Sequence, residues 1–361
     1  MKYNRPKYLD PSVKIAEYMG SVFTGGGKRI APVPERPISI RENFRRAYKR
    51  QGPMWFPNSM TDFTDEMISN LTGAGEADWS RKDRYDWKDW FDVEWTFVPE
   101  AGGPMLKPGT QFMDDVTKWR ELVKFPRLED YDIEGRCKKF LETYDPEKIL
   151  HINIGLGCTE RLVALMGGYT DAMIALAMEP EEVRAFLEAF VDFEIRAIGK
   201  LLEYLPIDMI TYHDDWGTER DTFFSEAMME DIVFPPTKRL FDFIHSKDIC
   251  VEHHCCGNIK RFVPYMIKTG ADFVQIQARA NDMPAFKKKY GKDIGFNAFV
   301  TPKGPGKEAM IEAIRETVDT FGAGGGAYTS ITAPTDEEAW DGIMELYYYS
   351  REFYDKEQGR G

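Results

Sequence analysis

The sequence predicts an α/β chain folded as a (β/α)8 (TIM) barrel with an N-terminal extension, and three observations predict it. Apolar runs of strand length alternate steadily with amphipathic helical runs from about residue 149 onward, a rhythm that calls for a parallel sheet covered by helices. No Gly-x-Gly-x-x-Gly fingerprint stands at an early strand end, so a dinucleotide-binding sheet has no support. The residues able to do chemistry gather where strands end, the place where barrels of this kind keep their sites.

Residues 1–40 carry scattered charges, the run Gly25-Gly26-Gly27-Lys28, and Pro32, Pro34 and Pro37. They are expected to form an arm outside a barrel spanning 41–361. The glycine run lacks phosphate-loop spacing and Arg29 follows Lys28, so the expectation is a mobile arm. Residues 41–50 read as a polar amphipathic helix, and Met54-Trp55-Phe56 as a first buried strand ended by Pro57. Residues 60–135 are rich in Trp, Asp and Lys, and 78–91 interleave aromatics with charges. The favoured reading is an irregular excursion whose aromatics pack under a long loop; the second is an aromatic wall for a substrate, over 79–97. Strands follow at 149–157, 208–216, within 249–258, and at 273–277, 294–300 and 328–331. Helices at 179–204, 237–245, 259–269, 282–290, 307–321 and 336–354 separate them. Pro180 and its neighbouring acids suit a first turn, and Gly270 suits a helix end. Six strands here, with one or two before them, fit an eight-stranded barrel.

With 361 residues, 43% apolar and 30% charged, the chain has the make-up of a globular protein with a large core. A net charge of -13 gives no electrostatic reason to bind nucleic acid or an anionic membrane. Five clustered cysteines do not make a disulfide framework. The amino terminus lacks the apolar core of a signal peptide, and no stretch approaches the ~18 apolar residues of a membrane span. A cytoplasmic location is the default expectation.

The stretch Ile249-Cys250-Val251-Glu252-His253-His254-Cys255-Cys256-Gly257-Asn258 holds two histidines and three of the five cysteines. Alternation along a strand puts Glu252, His254 and Cys256 on one face and Val251, His253 and Cys255 on the other. A carboxylate, an imidazole and a thiol in one column suit zinc with an open position. The alternative is a buried strand with Cys as a small hydrophobe and hydrogen-bonded histidines. Neighbouring strand ends add His213, Asp214 and Asp215 as catalytic candidates, and Gln275, Gln277, Asn297 and Tyr328 as substrate contacts. Asp214 and Asp215 are also natural caps, and as strand neighbours they point to opposite faces. Gln275 and Gln277 also suit hydrogen-bonded polar positions of a barrel core. Gly324-Gly325-Gly326 suits a tight turn or an anion.

The chain resembles the uroporphyrinogen decarboxylase superfamily and, within it, the corrinoid-dependent methyltransferases. The resemblance rests on Arg41-Glu42-Asn43-Phe44, Val123-Lys124-Phe125-Pro126, Glu160-Arg161-Leu162 with Leu165-Met166-Gly167, and Asp214-Asp215-Trp216-Gly217. It continues in His254-Cys255-Cys256-Gly257-Asn258 and Ala271-Asp272-Phe273-Val274-Gln275, over about 40–355. It implies a (β/α)8 barrel. The decarboxylase's R-Q-A-G-R-type segment is missing, which argues against porphyrinogen decarboxylation. The methyltransferase branch holds zinc with H-x-C and a later cysteine. His254 and Cys256 match the first two, but no cysteine follows Cys256, so Glu252, Asp214 or Asp215 is expected to complete the site. The implied function is methyl transfer from a small methoxylated or methylated molecule to the cobalt of a corrinoid (cobalamin) carried by a separate corrinoid protein, as in O-demethylation. A metal-free lyase and a non-catalytic tetrapyrrole- or corrinoid-binding protein are the other readings. A homodimer is compatible with the sequence, which leaves the oligomeric state open.

Overall fold

The first elements of the computed structural model are an antiparallel pair, β1 (Lys14–Met19) and β2 (Lys28–Val33), and helix α1 (Ile40–Lys49). The structure describes residues 3–19, 28–75, 77–78, 81 and 83–360; the glycine run 25–27 and Trp79, Ser80 and Lys82 of the aromatic stretch lie outside the described residues. Ser39 caps α1 by accepting from Glu42 N, and acid at its start with Arg46 and Lys49 at its end match the helix dipole. Ahead of the hairpin, Arg5 pairs with Glu345 (3.0 Å) and Glu352 (2.9 Å) on the last helix.

Strand β3 (Phe63–Met67) opens the main sheet. A small antiparallel sheet follows, made of β4 (Tyr85–Lys88), β5 (Glu94–Val98) and β6 (Gly103–Leu106). The main sheet resumes with β7 (Ile149–Ile154), β8 (Met209–His213), β9 (Cys250–Cys255), β10 (Phe273–Ile276), β11 (Gly295–Asn297) and β12 (Ala327–Tyr328). Its order is β12-β11-β10-β9-β8-β7-β3, parallel throughout, so every neighbour is the next strand in the chain except at β3 and β7, between which the small antiparallel sheet is inserted. Helices fill the connections, among them α2 (Cys158–Met166) and α3 (Pro180–Leu202), and α4 (Asp336–Glu357) follows the last strand. The predicted α/β barrel is therefore present.

Its eighth position differs from expectation. The segment predicted as a first strand joins no ladder, and a single parallel bridge, Asn58 to Thr329, is made beyond Pro57 in the lead-in to β3. Ser59 N donates to Thr329 O (2.8 Å) and Thr329 N to Pro57 O (3.0 Å), which joins the two edges of the sheet. Pro57 has no N–H to give a ladder, so this stretch cannot extend as a strand.

The floor of the barrel is apolar. Ile40, Phe44 and Tyr48 of α1 cluster with Phe63, Ile149, Met209, Cys250, Phe273 and Tyr328 from six strands. The Phe44 ring meets Phe63 edge-on at 5.1 Å and stacks on Phe273 at 6.0 Å. With the floor sealed, inward residues further along the strands face the opposite mouth. Among the described residues no single helix is long and apolar enough to cross a membrane. Phe44→Ala is expected to cost about 3–5 kcal/mol, read as a lower midpoint in urea unfolding with an unchanged slope.

Candidate functional site

Strand alternation decides which side chains of β9 reach the mouth. His253 and Cys255 point outward and are buried: His253 lies edge-on to Trp216 at 4.2 Å, and Cys255 Sγ accepts from Trp216 N (3.1 Å). Burial holds the His253 imidazole down to about 3, so it packs as a neutral ring. His254 and Cys256 point inward. The turn after them needs a glycine, because Gly257 has φ +79° and a Cβ there would lie 2.1 Å from Gly217 O.

His254 Nδ1 lies 2.5 Å from Gln275 Oε1. An amide oxygen only accepts, so Nδ1 carries the proton and Nε2 presents its lone pair. That lone pair faces Cys256 Sγ at 3.4 Å and Asp215 Oδ1 at 4.0 Å. Cys256 N donates to Asp215 Oδ1 at 2.5 Å, fixing the carboxylate beside the thiol. The ligand atoms of Asp215, His254 and Cys256 all lie within 4.8 Å of one another. Donors with bonds of about 2.0–2.3 Å to one zinc ion sit roughly 3–4 Å apart, so one oxygen, one nitrogen and one sulfur here fit a single cation.

The electrostatics agree with the geometry. Burial, then the charges of Asp215 and Glu160, push the Cys256 thiol up to about 12. Burial holds His254 below its ordinary value, opposed by Asp215 and the Gln275 bond. Glu160, in the first turn of α2, is raised well above the carboxylate range by burial and by Asp215 and Asp214. The Cys256 thiol and the Glu160 carboxyl are thus held in their neutral forms, and a cation bound here would favour the ionised ones.

A cavity of about 890 Å³ reaches the neighbours of this group, although Asp215, His254 and Cys256 do not themselves line it. His213 and Gln275, the two immediate neighbours of His254, line it, the His213 ring lying 4.4 Å from that of His254. His213 is driven well below the ordinary imidazole value by burial and the nearby histidines. The far wall is aromatic: Trp87, Trp90 and Trp95 from the small antiparallel sheet and its turn, with Phe193 of α3. Trp95 Nε1 and Arg161 both donate to Asp89 (3.0 and 2.5 Å), and the Arg161–Asp89 pair is only 4% and 6% exposed. The described part of the aromatic stretch is divided between core and cavity. Phe91 packs into the core while the tryptophans line the cavity.

Below the mouth runs a belt of hydrogen bonds. Asp65 Oδ1 meets His151 Nδ1 at 2.5 Å, and His151 Nε2 meets Thr211 Oγ1 at 2.6 Å. Thr211 donates to Glu252 Oε1 (3.0 Å), Tyr328 OH to Glu252 Oε2 (2.6 Å), and Asn297 Nδ2 to Tyr328 OH (2.8 Å). This placement corrects two expectations. Glu252 shares the inward face with His254, but it lies one strand repeat lower and both its oxygens are committed, so Asp215 takes its place in the ligand group. Asp214, expected as catalytic, faces outward. Its Oδ1 caps α2 through Thr159 N, Thr159 Oγ1 and Glu160 N, and its Oδ2 accepts from Trp216 Nε1 (2.8 Å). Burial raises it to about 6, and it does not line the cavity.

Gln275, Asn297 and Tyr328 line the cavity; Gln277 does not, and instead accepts from Gly257 N (3.1 Å), holding the turn. The sequence reading missed His151, Asp65, Asn153, Glu194 and the Arg161–Asp89 pair as wall residues. The same alternation rule applied to 149–157 would have found His151 and Asn153. Asp65 had no signal, because its strand was not recognised.

The uroporphyrinogen decarboxylase (URO-D) family model matches residues 98–296, which is more than half of the chain. The chain belongs to the URO-D family. Among solved structures, a methyltransferase from Methanosarcina mazei matches with a TM-score of 0.62 at 13% identity, over 88% of this chain and 99% of that one. It shows the URO-D barrel as the shared fold. A D-psicose 3-epimerase determined with D-fructose reaches a TM-score of 0.33 at 14% identity, over 62% and 81% of the two chains. An α-N-acetylgalactosaminidase from Bifidobacterium bifidum, a quadruple mutant, reaches 0.34 at 10% identity, over 86% and 53%. No curated protein matches this URO-D member in sequence.

Zinc binding at the triad is expected to release about one proton per ion, from Cys256, because His254 is already neutral. Affinity should then rise about tenfold per pH unit across the neutral range, read by calorimetric titration in buffers of different ionisation enthalpy.

Proposed function

We propose that the protein is a methyltransferase of the corrinoid-dependent, O-demethylase-like branch of the family. It takes a methyl group from a small methoxylated or methylated molecule bound in the cavity and passes it to the cobalt of a corrinoid held by a separate protein. The observation that carries this reading is the convergence of Asp215 Oδ1, His254 Nε2 and Cys256 Sγ, whose neighbours His213 and Gln275 line a cavity of about 890 Å³. Membership of the URO-D family and the barrel shared with a protein named a methyltransferase support it.

Asp215, His254 and Cys256 would hold zinc, which when bound supplies a Lewis acid for the heteroatom that loses the methyl group. Gln275 keeps the imidazole in the tautomer that offers Nε2, a second partner of the kind that raises ligand affinity about 10–100-fold. His213, packed against the His254 ring, restrains its tilt. The tryptophan wall keeps water from the bound molecule and gives its apolar part a surface. The buried Arg161–Asp89 pair braces that wall through Trp95. Asn297 Oδ1, buried without a partner on the cavity wall, offers an acceptor to a donor group of the substrate.

The test compares wild-type protein with Cys256→Ser. Wild type is expected to bind about one zinc per chain and to methylate reduced cobalamin from a methyl ether. Cys256→Ser should keep its fold by circular dichroism, while zinc affinity falls at least tenfold and transfer is lost. Full zinc stoichiometry and full transfer in the variant would remove the basis of the reading.

A further inference from the structure

We infer that the molecule held in the cavity carries a methylated ammonium group, recognised by the wall of Trp87, Trp90 and Trp95 together with the buried carboxyl of Glu194. The inference rests on the proposed function only in calling that molecule the methyl donor. The recognising residues are separate from Asp215, His254 and Cys256, which do not line the cavity.

The wall follows from strand pairing. β4 and β5 run antiparallel, with Trp87 opposite Trp95 and Tyr85 opposite Phe97. Residues directly opposite one another share a face of the sheet. Tyr85 and Phe97 therefore stack at 5.4 Å, and Trp87 and Trp95 at 6.3 Å. The turn between the strands brings Trp90 edge-on to Phe193 of α3 at 4.8 Å. Trp87, Trp90 and Trp95 are partly buried, and all three line the cavity. Glu194, the next residue of α3 after Phe193, lines it as well.

Charge decides what such a wall receives. Among the described residues that line the cavity, Asp65, Asp89 and Glu194 are acids, and Arg161 alone is an arginine or lysine. Arg161 is committed to Asp89 in a pair only 4% and 6% exposed. A carboxylate or phosphate on a ligand would find no uncommitted cation among these residues and would meet acids instead. Glu194 is 4% exposed. Its Oε2 accepts from Tyr212 OH (3.3 Å), while its Oε1 is buried without a partner. Burial, and then the charge of Asp214, raise this carboxyl well above the carboxylate range. A cation in the cavity would favour its ionised form.

A methylated ammonium suits this combination for a physical reason. Its charge is spread over methyl groups, so aromatic rings and carboxylates both attract it. A quaternary one donates no hydrogen bond and needs no acceptor in contact. A carboxyl oxygen set back in the wall acts on it through space, and more strongly than in water because the surroundings are apolar. A neutral apolar group would gain nothing from Glu194. The quaternary nitrogen has no lone pair to give a metal. The heteroatom that loses the methyl group in the proposed reaction is then a second atom of the same molecule.

A pair of isosteres tests this without metal or corrinoid. Choline and its neutral carbon analogue dimethylbutanol share a shape and differ in charge. Calorimetric titration of the protein as isolated is expected to give choline a Kd about tenfold or more below that of the alcohol. Trp87→Leu keeps the wall apolar, and should weaken choline about fivefold while the alcohol changes by less than about twofold. Glu194→Gln should also cut the preference for choline, with melting temperatures reporting that both variants keep the fold. The wild-type comparison needs neither variant. Equal affinities in the wild type, tighter binding of the anionic ether para-methoxybenzoate than of choline, or a preference unchanged in both variants overturns the inference. A cation preference in a protein that passes no methyl group to reduced cobalamin sinks the proposed function and leaves the ammonium site standing. Methyl transfer from a plain ether with no cation preference does the reverse.

Discussion

A histidine can offer one ring nitrogen to a cation in a fixed direction only if its other nitrogen is held elsewhere. In this protein Gln275 does the holding, at 2.5 Å from His254 Nδ1. The bond depends on the parallel pairing of β9 with β10, which places Gln275 directly beside His254. The pairing of β8 with β9 sets His213 against the other side of the ring, and the chain that leaves β8 brings Asp215 to Cys256. A slip of one residue in either pairing would turn His254 to the helices and bring His253 inward. Register is therefore what the site depends on, and the buried outward faces of β8 and β9, with Tyr212, Val251, His253 and Cys255, are what hold it.

Much of this was legible in the sequence. The rhythm from residue 149 gave the parallel sheet, and period-two alternation placed His254 and Cys256 together on the inner face. The same rule could not say how far along the barrel axis each inward residue lies. Glu252 obeys the alternation and still misses the ligand group, because the strand rises about 3.3 Å per residue and Tyr328 and Thr211 capture its carboxylate lower down. Asp214 and Asp215 could not be told apart as residues. Their separate tasks, capping α2 and facing Cys256, come from which neighbours each face meets. The segment 54–56 looked like a strand because Trp55 and Phe56 are apolar, yet it joins no ladder, and the one bridge is made beyond Pro57, by Asn58.

The cavity was the least legible part. Its far wall comes from an antiparallel excursion inserted between β3 and β7, whose tryptophans looked equally suited to packing under a loop. Asp89 unites the two roles: it orients Trp95 toward the cavity and neutralises Arg161 beneath it. A buried pair of this kind is costly to break because either partner alone leaves an unmatched charge. The arrangement thus joins an apolar compartment, a polar belt above the apolar floor and a corner of cation-ligating side chains within one barrel.

The most direct measurement of the central claim is X-ray absorption at the zinc edge on the zinc-loaded protein. The account predicts a single sulfur scatterer at about 2.3 Å together with nitrogen and oxygen at about 2.0–2.2 Å, the nitrogen showing the outer-shell pattern of an imidazole. A first shell with no sulfur, or with two, would contradict it.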